Sequence, residues 1–333
     1  MASRGRSGRT SRSDKAAAGR RPAPESHRPP TRGRGAGSGG APAWPDGPVP
    51  IATGTAEVQR SPDDPDAVTL LVNGVPSSHL DLGDPERLDF EYMQQMAAVL
   101  DHLPPADGPF REVHLGAAGC ALARWGHARF PGARQVAVDL DPVLVALVRD
   151  WFDLPRAPAL RLRAGEARAE LGTLPDASAD AVVRDVFAGD RTPPHVTTEE
   201  FVRDVARVLR PGGVYLANCA DRPPLALARA EAATLGAVFP HVGVVAEPAV
   251  LRGRRYGNLV LVGTHDPALL EDAALARDLR SLPVPARLLV GGELAAFVGR
   301  AAPLRDAAPE LEPDGEADDG FATLPPARPG TGA

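Results

Sequence analysis

The stretch "REVHLGAAGCALARWGHARFPGARQVAVDLDP", residues 111–142, decides the fold. Within it, "REVHL" predicts a strand, "GAAGC" a tight loop, "ALARWGHARF" a helix and "RQVAVDLD" a second strand. Two consecutive strands that are joined through a helix lie parallel in one sheet. The stretch therefore predicts an α/β fold built from strand–helix–strand units.

The same alternation continues downstream. The strand patterns "ALRLRA", "DAVVRDVF" and "GGVYLANC" are each followed by a helical pattern. The last two strand patterns, "HVGVVAEPAVL" and "GNLVLVGT", have only "RGRRY" (residues 252–256) between them. That connection is too short for a helical crossover, so it predicts an antiparallel hairpin at one edge of the sheet. We therefore expect a doubly wound, mostly parallel, seven-stranded Rossmann-like sheet.

The flanking segments differ from this pattern. A segment with strand-like alternation between Asn-Gly and Asp-Pro turn signals predicts a small antiparallel sheet, and "DPERLDFEYMQQMAAVLDHL" after it predicts an amphipathic helix. Both ends of the chain are polar and rich in Gly or Pro, which is typical of disorder. The predicted units are a disordered basic tail (1–48), a small N-terminal β-sheet (49–83), a Rossmann-like domain (84–265), a C-terminal helical extension (266–302) and a disordered acidic tail (303–333).

Composition excludes several functional classes. Residues 1–40 carry nine arginines and Lys15 against Asp14 and Glu25, but no aromatic residue lies among them, which favours a solvated tail over nucleic-acid contact. Lys15 is the only lysine, so the folded part contains no Schiff-base or Walker-type lysine. The two cysteines lack metal-binding spacing, and there is no apolar run of membrane-spanning length and no secretory signal. We expect a cytoplasmic protein without metal or membrane contact.

Four small or acidic residues stand directly after the predicted parallel strands: Gly116, Asp139, Glu166 and Asp185. Ligands of doubly wound sheets bind at this carboxyl edge. The small residues of "GAAGC" permit a close approach of the backbone to a ligand, but the loop departs from G-x-G-x-x-G, which argues against a nicotinamide cofactor. An acid at 139 can accept hydrogen bonds from both hydroxyls of a ribose.

Two of these acids also have a structural alternative. Asp139 could cap the next helix, although Asp141 already fits that role. Glu166 could accept a hydrogen bond from the amino group of an adenine, or it could be a solvated carboxylate or a helix cap. We favour ligand binding for both because they share one edge of the predicted sheet.

Asp185 is the strongest candidate for chemistry. A carboxylate at the end of an apolar strand can act as a base or hold a cationic amine, whereas the alternative is a structural aspartate paired with Arg184 or Arg191. His195 lies in the following loop, where a solvated or capping histidine is the commoner case. Tyr92 lies on the apolar stripe of its helix, a position that is typical of core residues.

The motifs together resemble a known family, the spermidine synthase-like aminopropyltransferases on the class I S-adenosylmethionine methyltransferase fold. The likeness rests on "DFEYMQQM", "HLGAAGC", "VAVDLDP", "AGEAR", "VVRDVFAGDRTPPHVTTEEF" and "LRPGGVYLAN", in the order that the family has them. It covers about residues 50–265 and includes the small N-terminal sheet, which ordinary methyltransferases usually lack.

The resemblance implies a set of roles. Residues 84–265 would bind an adenosyl donor, either decarboxylated S-adenosylmethionine or S-adenosylmethionine itself, with no metal. The implied donor-binding residues are Gly116, Ala118, Asp139, Glu166 and Ala167. Asp185 would be catalytic, and it would contact a small amine acceptor together with Tyr92 and Asp190. The N-terminal sheet of the family commonly packs against a partner subunit, so a homodimer is implied as well.

Three positions depart from the family. The glycine loop "GAAGC" has no aspartate, Ala188 stands where the family has a second aspartate, and Met93 follows Tyr92 where the family has a glutamine. The donor half of the site therefore fits the family better than the amine half. Three functions follow, in order of preference: an aminopropyltransferase of polyamine biosynthesis, an S-adenosylmethionine-dependent methyltransferase of unknown acceptor, and a non-catalytic nucleoside-binding homologue.

Overall fold

A computed structural model describes residues 44–104, 108–189 and 191–307 of the chain. Within these ranges, eight strands form the main sheet in the order β12-β10-β11-β9-β8-β5-β6-β7. Their bounds are β5 Arg111–Leu115, β6 Arg134–Asp139, β7 Leu160–Ala164, β8 Ala179–Arg184, β9 Leu209–Asp221, β10 His241–Ala246, β11 Gly257–Thr264 and β12 Arg287–Leu289. The five strands from β9 to β7 in this order run parallel, and β11, β10 and β12 add antiparallel pairs. The predicted doubly wound, mostly parallel sheet is confirmed.

The sheet has one strand more than the seven predicted. Strand β12 pairs antiparallel with β10, so the hairpin of β10 and β11 does not lie at the edge as predicted. The extra strand is only Arg287–Leu289, and three residues are too few to show the alternation by which strands are recognised. It belongs to the segment 266–302, whose other described elements are helical.

Helices cover both faces of the sheet. The face with α1, α2, α3, α8 and α9 contains one apolar cluster, and the face with α4, α5, α6, α7 and α10 contains the other. Their bounds are α1 Glu91–Asp101, α2 Ala121–Arg129, α3 Pro142–Trp151, α4 Ala167–Gly172, α5 Glu199–Val208, α6 Ala226–Gly236, α7 Pro248–Leu251, α8 Pro267–Glu271, α9 Ala273–Ser281 and α10 Gly291–Val298. Strand β8 contributes to both clusters, since successive side chains of a strand point to opposite faces.

A second, four-stranded antiparallel sheet is formed by the described N-terminal residues, in the order β1-β2-β3-β4. Its strands are β1 Val49–Ile51, β2 Gly54–Arg60, β3 Ala67–Val72 and β4 Val75–Asp81. The sheet contacts the main domain at two loops. Ser78 Oγ accepts from the backbone N–H of Gly119 at 2.9 Å, and Thr53 donates from its backbone N–H and its hydroxyl to Asp141 at 2.6 and 2.9 Å. The small sheet therefore borders the carboxyl edge of the main sheet.

The described chain extends past the predicted tail boundaries at both ends. Trp44 donates from its indole N–H to the carbonyl of Trp151 at 3.1 Å. Residues 303–307, which we call the C-terminal strap, contact α5 and α6: Leu304 accepts from the N–H of Glu199 and donates to the hydroxyl of Thr234, both at 2.8 Å. The rest of the predicted basic and acidic tails, residues 1–43 and 308–333, lies outside the described residues. Among the helices in the described ranges, none has the length and apolar character needed to cross a membrane.

Candidate functional site

The four residues predicted to form the site lie at or just after the carboxyl ends of four neighbouring parallel strands, in the order β8, β5, β6 and β7: Asp185, Gly116, Asp139 and Glu166. Backbone hydrogen bonds fix the strand ends against one another. The N–H groups of Asp185, Gly116 and Gly165 donate, at 2.8, 3.0 and 2.9 Å, to backbone carbonyls at the end of the adjacent strand, those of Leu115, Val138 and Asp139. The structure therefore places the four residues side by side at the carboxyl edge of the sheet.

The loop after β5 is shaped for close packing. Gly116 has a φ of +84°, and a Cβ atom there would clash with the backbone carbonyl of Asp185. Ala118 and Cys120 also adopt positive φ angles, 41° and 60°, which cost energy for residues other than glycine. Only a residue without a side chain at 116 lets the ends of β5 and β8 approach this closely.

Asp139 ties this loop to its own strand. One carboxylate oxygen accepts from the backbone N–H of Ala118 at 2.9 Å, and the other accepts from the N–H of Asp141 at 3.1 Å. Burial raises the pKa of Asp139, and the two backbone hydrogen bonds act against that shift. The helix cap considered for Asp139 is formed by Asp141, which accepts from the first turn of α3. Each oxygen of Asp139 retains acceptor capacity, as a ribose diol requires.

Glu166 is fixed by its neighbours. It caps α4 by accepting from the backbone N–H groups of Arg168 and Ala169 at 3.0 and 2.8 Å, and it lies 2.9 Å from Nε2 of His195. Partial burial would raise the pKa of Glu166, but these hydrogen bonds lower it overall, so the group is ionised at neutral pH. Glu166 is therefore a helix cap, which was the structural alternative to ligand binding. Ala167, the next residue, is the buried first residue of α4. Contact of Glu166 with an adenine stays a prediction.

The C-terminal strap reaches this end of the site. Arg168 forms two parallel hydrogen bonds with the carboxylate of Asp306, at 2.8 and 2.7 Å, and also donates to the carbonyl of His195 at 3.1 Å. Thr198, the N-cap of α5, donates its hydroxyl to Asp306 at 2.8 Å. The strap therefore supports the loop that carries His195, and His195 in turn contacts Glu166. No pattern in the sequence indicated this link.

We expect Asp306→Asn to loosen the strap. The bidentate pair with Arg168 lowers the pKa of Asp306 to about 2. The pair therefore contributes its full share of the folding stability above the ordinary carboxyl pKa of 3.8, and this share is lost as the pH falls toward 2. At neutral pH the variant should lose about 1 kcal/mol of stability at most, since both side chains are partly exposed.

Hydrogen–deuterium exchange measures this effect. The N–H groups of Leu304 and Asp306, which donate to Thr234 and Glu200, should exchange faster in Asp306→Asn. The matched control is Asp176→Asn, which removes an exposed carboxylate paired with Arg207 outside the strap. Equal exchange in the strap of all three proteins would contradict the prediction.

Asp185 lies at the other end of the site. Its two carboxylate oxygens accept from the hydroxyl of Tyr92 at 2.8 Å and from Nδ2 of Asn218 at 2.9 Å. Burial raises the pKa of Asp185, and these two hydrogen bonds partly offset the shift. Burial and the adjacent carboxylate raise the pKa of Tyr92 well above its usual value, so the phenol keeps its proton and donates it. Tyr92 and Asn218 therefore fix the orientation of the Asp185 carboxylate at the carboxyl edge of the sheet.

The predicted residues were thus only part of this end of the site. Tyr92, expected on the apolar stripe of its helix, reaches Asp185 from the first turn of α1. Asn218 was not predicted, although "LRPGGVYLAN" ends on it. A polar residue inside the mostly apolar run 214–220 was the available signal. Asp190, the remaining predicted acceptor contact, lies outside the described residues.

Arg184 is not the partner of Asp185. It points to the opposite face of the sheet, where it forms a 2.5 Å ion pair with Glu231 of α6, and both side chains are almost completely buried. The same guanidinium donates to the backbone carbonyl of Asn218 at 3.1 Å. The buried pair therefore contacts the backbone of Asn218, whose side chain donates to Asp185 on the opposite face of the sheet.

The chain is similar to several known proteins. The family model described as "Methyltransferase domain" matches residues 113–217. The chain superposes on the solved structure of a probable spermidine synthase from Corynebacterium glutamicum with a TM-score of 0.76 and 35% identity, covering 81% of this chain and 99% of that one. It is also 32% identical over 141 residues to a polyamine aminopropyltransferase from Chromobacterium violaceum, over 42% of this chain and 53% of the relative.

Methyltransferases are among the relatives too. The chain is 25% identical over 117 residues to an eEF1A lysine and N-terminal methyltransferase from Xenopus laevis, over 32% of this chain and 17% of that protein. The aligned part spans about half the length of the Chromobacterium relative. The range of the family match, 113–217, contains Gly116, Asp139, Glu166 and Asp185.

Proposed function

Because the chain belongs to the spermidine synthase-like family on the S-adenosylmethionine methyltransferase fold, we propose that it is an aminopropyltransferase. It would transfer an aminopropyl group from decarboxylated S-adenosylmethionine to an amine. The observation that carries this proposal is the carboxylate of Asp185, which is fixed by Tyr92 and Asn218 at the carboxyl end of β8. A carboxylate at this position can accept the proton that an attacking amine releases.

The donor would lie across the neighbouring strand ends. The loop after β5 carries only small side chains, which permits a ligand to approach its backbone, and the half-buried carboxylate of Asp139 offers acceptors to a ribose. Glu166 and Ala167 would face the base at the start of α4. This order along the edge is what a nucleoside requires, with its ribose next to the reacting carbon and its base farther away.

The chemistry follows from Asp185. An amine nitrogen attacks the carbon next to the sulfonium, a C–N bond forms, and the C–S bond breaks with its electron pair staying on methylthioadenosine. The nitrogen then releases a proton, which the carboxylate of Asp185 accepts. Tyr92 and Asn218 hold that carboxylate in one orientation, which favours an aligned attack. The N-terminal sheet, which packs against a partner subunit in the family, would serve a homodimer interface here.

A methyltransferase is the second candidate. Two observations favour it: a methyltransferase is among the relatives, and the loop after β5 carries no acidic side chain. An acid in that loop would repel the carboxylate of S-adenosylmethionine, so its absence makes room for the carboxylated donor.

Parallel calorimetric titrations separate the candidates. The full-length chain is titrated with decarboxylated S-adenosylmethionine and with S-adenosylmethionine, and methylthioadenosine release is then followed with an amine present. We expect tighter binding of the decarboxylated donor and amine-dependent product formation. Preference for the carboxylated donor would favour the methyltransferase. Binding without any turnover on amines would favour a non-catalytic nucleoside-binding protein.

A further inference from the structure

Three polar side chains form a row on one face of the main sheet, at its carboxyl edge: Asp185 after β8, Asn218 in β9 and Asn258 in β11. Asn218 lies opposite Val260 in the antiparallel pair, so Asn258, two residues before Val260, shares its face. The parallel pairing of Val183 with Leu216 places Asp185 on that face as well. The row crosses three neighbouring strands.

The first turn of α1 covers both ends of this row. Tyr92 donates its hydroxyl to Asp185 at 2.8 Å, and Asn258 donates from Nδ2 to Oε1 of Glu91 at 3.1 Å. Glu91 and Tyr92 are consecutive, so a single helical turn presents one partner to each end. Glu91 is half-buried, and no described residue donates to its other oxygen. The helical turn that contacts the proposed base therefore also carries a second carboxylate.

We infer that Glu91, held by Asn258, is a cation-binding subsite that takes a second nitrogen of the amine acceptor. This inference rests on the proposed function and adds to it a residue that decides which amines bind. Glu91 supplies a negative charge in the half of the site where "GAAGC" and Ala188 supply none. Carboxylate–ammonium hydrogen bonds in a partly buried site are among the strong ones.

The spacing limits the acceptor to a short chain. Strands β8 and β11 flank β9, so the two ends of the row are separated by two strand spacings, roughly 10 Å. A hydrogen bond takes about 2.9 Å at each end. A separation of this order suits a short aliphatic chain that carries a nitrogen at both ends. An amine with one nitrogen can contact Asp185 but leaves Glu91 without a ligand partner.

Glu91 also has a helix-stabilising position. It is the acidic residue in the first turn of α1, where a negative charge interacts favourably with the helix dipole. Loss of that effect would loosen α1 and lower the affinity for every amine acceptor equally. Loss of a subsite would lower the affinity only for acceptors that carry the second nitrogen. The comparison of two amines on one variant therefore distinguishes the two roles.

The test is calorimetry on the full-length chain saturated with methylthioadenosine. Putrescine, a diamine with four carbons, and butylamine, its one-nitrogen counterpart, are each titrated into the unchanged protein and into Glu91→Gln. We expect the unchanged protein to bind putrescine more tightly than butylamine. Glu91→Gln should weaken putrescine about ten- to hundredfold, the range expected for a hydrogen bond to a charged group, and leave butylamine unchanged.

The matched control is Asp101→Asn, which removes a carboxylate at the other end of the same helix, where it pairs with Arg129. It should leave both affinities unchanged. Equal affinities of the two amines for the unchanged protein, or equal weakening of both by Glu91→Gln, would overturn the inference while aminopropyl transfer still stands. Failure of the unchanged protein to bind methylthioadenosine would overturn the proposed function and the inference with it.

Discussion

Replacing Asp185 with asparagine is expected to lower kcat by a factor of about 10² to 10⁴, the usual contribution of a general base. The amide retains the size of the carboxylate and can still contact Tyr92, but it cannot accept the proton of the attacking amine. Affinity for methylthioadenosine should be unchanged, because Asp185 lies at the end of the row of strands opposite to Glu166. Single-turnover kinetics and calorimetry measure the two quantities.

The pH profile gives a second test of the same group. Burial raises the pKa of Asp185 above its ordinary 3.8, so kcat/KM of the unchanged protein should fall as the pH decreases through that raised value. The residual activity of Asp185→Asn should lack this acidic limb. The folded state also binds this proton more tightly than the unfolded state, so ionising Asp185 costs stability as the pH rises. The variant should therefore be no less stable than the unchanged protein at neutral pH.

Asp176→Asn is the control for these measurements, since it removes an exposed aspartate that follows α4 and pairs with Arg207. It should leave kcat and the acidic limb in place. Full activity of Asp185→Asn would show that the carboxylate takes no part in proton transfer.

The largest loss of stability is expected from Glu231→Gln. Arg184 is completely buried, and Glu231 is its ion-pair partner at 2.5 Å. Without that charge the guanidinium stays inside the protein with the carbonyl of Asn218 as an acceptor, which compensates it poorly. Removing one member of a buried pair typically costs about 3 to 5 kcal/mol. Urea denaturation of the variant measures the loss.

The double variant Arg184→Met with Glu231→Leu is the matched control. It replaces both charges by apolar side chains of comparable size, so it should regain most of the stability that Glu231→Gln loses. A double-mutant cycle then isolates the pair. A change below about 1 kcal/mol in Glu231→Gln, the range of exposed pairs, would mean that the pair is not the buried charge system that the geometry indicates.

The residues along the carboxyl edge of the sheet could be predicted, because the end of each parallel strand can be read from the sequence. Any residue directly after a parallel strand lies at the carboxyl edge, so Gly116, Asp139, Glu166 and Asp185 could be placed together before their contacts were known. The cap of α3 at Asp141 was predictable for a similar local reason.

Other features of the site and fold depend on contacts between residues far apart in the chain, so the sequence carries no local pattern for them. Asn218 and Asn258 acquire their roles only when β9 and β11 pair in one register and α1 packs across them. The pairing of Arg184 with Glu231 rather than with its neighbour Asp185 depends on which face of β8 each residue occupies. Strand β12 is too short to show a period, and the strap contains no helix or strand that a periodic pattern could indicate.

The C-terminal strap also sets an order of events during synthesis. Asp306 joins the growing chain 138 residues after Arg168, its partner beside Glu166. Chains emerge from the ribosome starting at their N-terminus, and structure forms as they do. The strands around Asp139 can therefore pair in the nascent chain while the support behind His195 is still missing. A ribosome-bound chain that ends before residue 306 would lack the hydrogen bonds that Arg168 and Thr198 donate to Asp306. The loop that carries His195 would therefore be the last part of the candidate site to reach its final form.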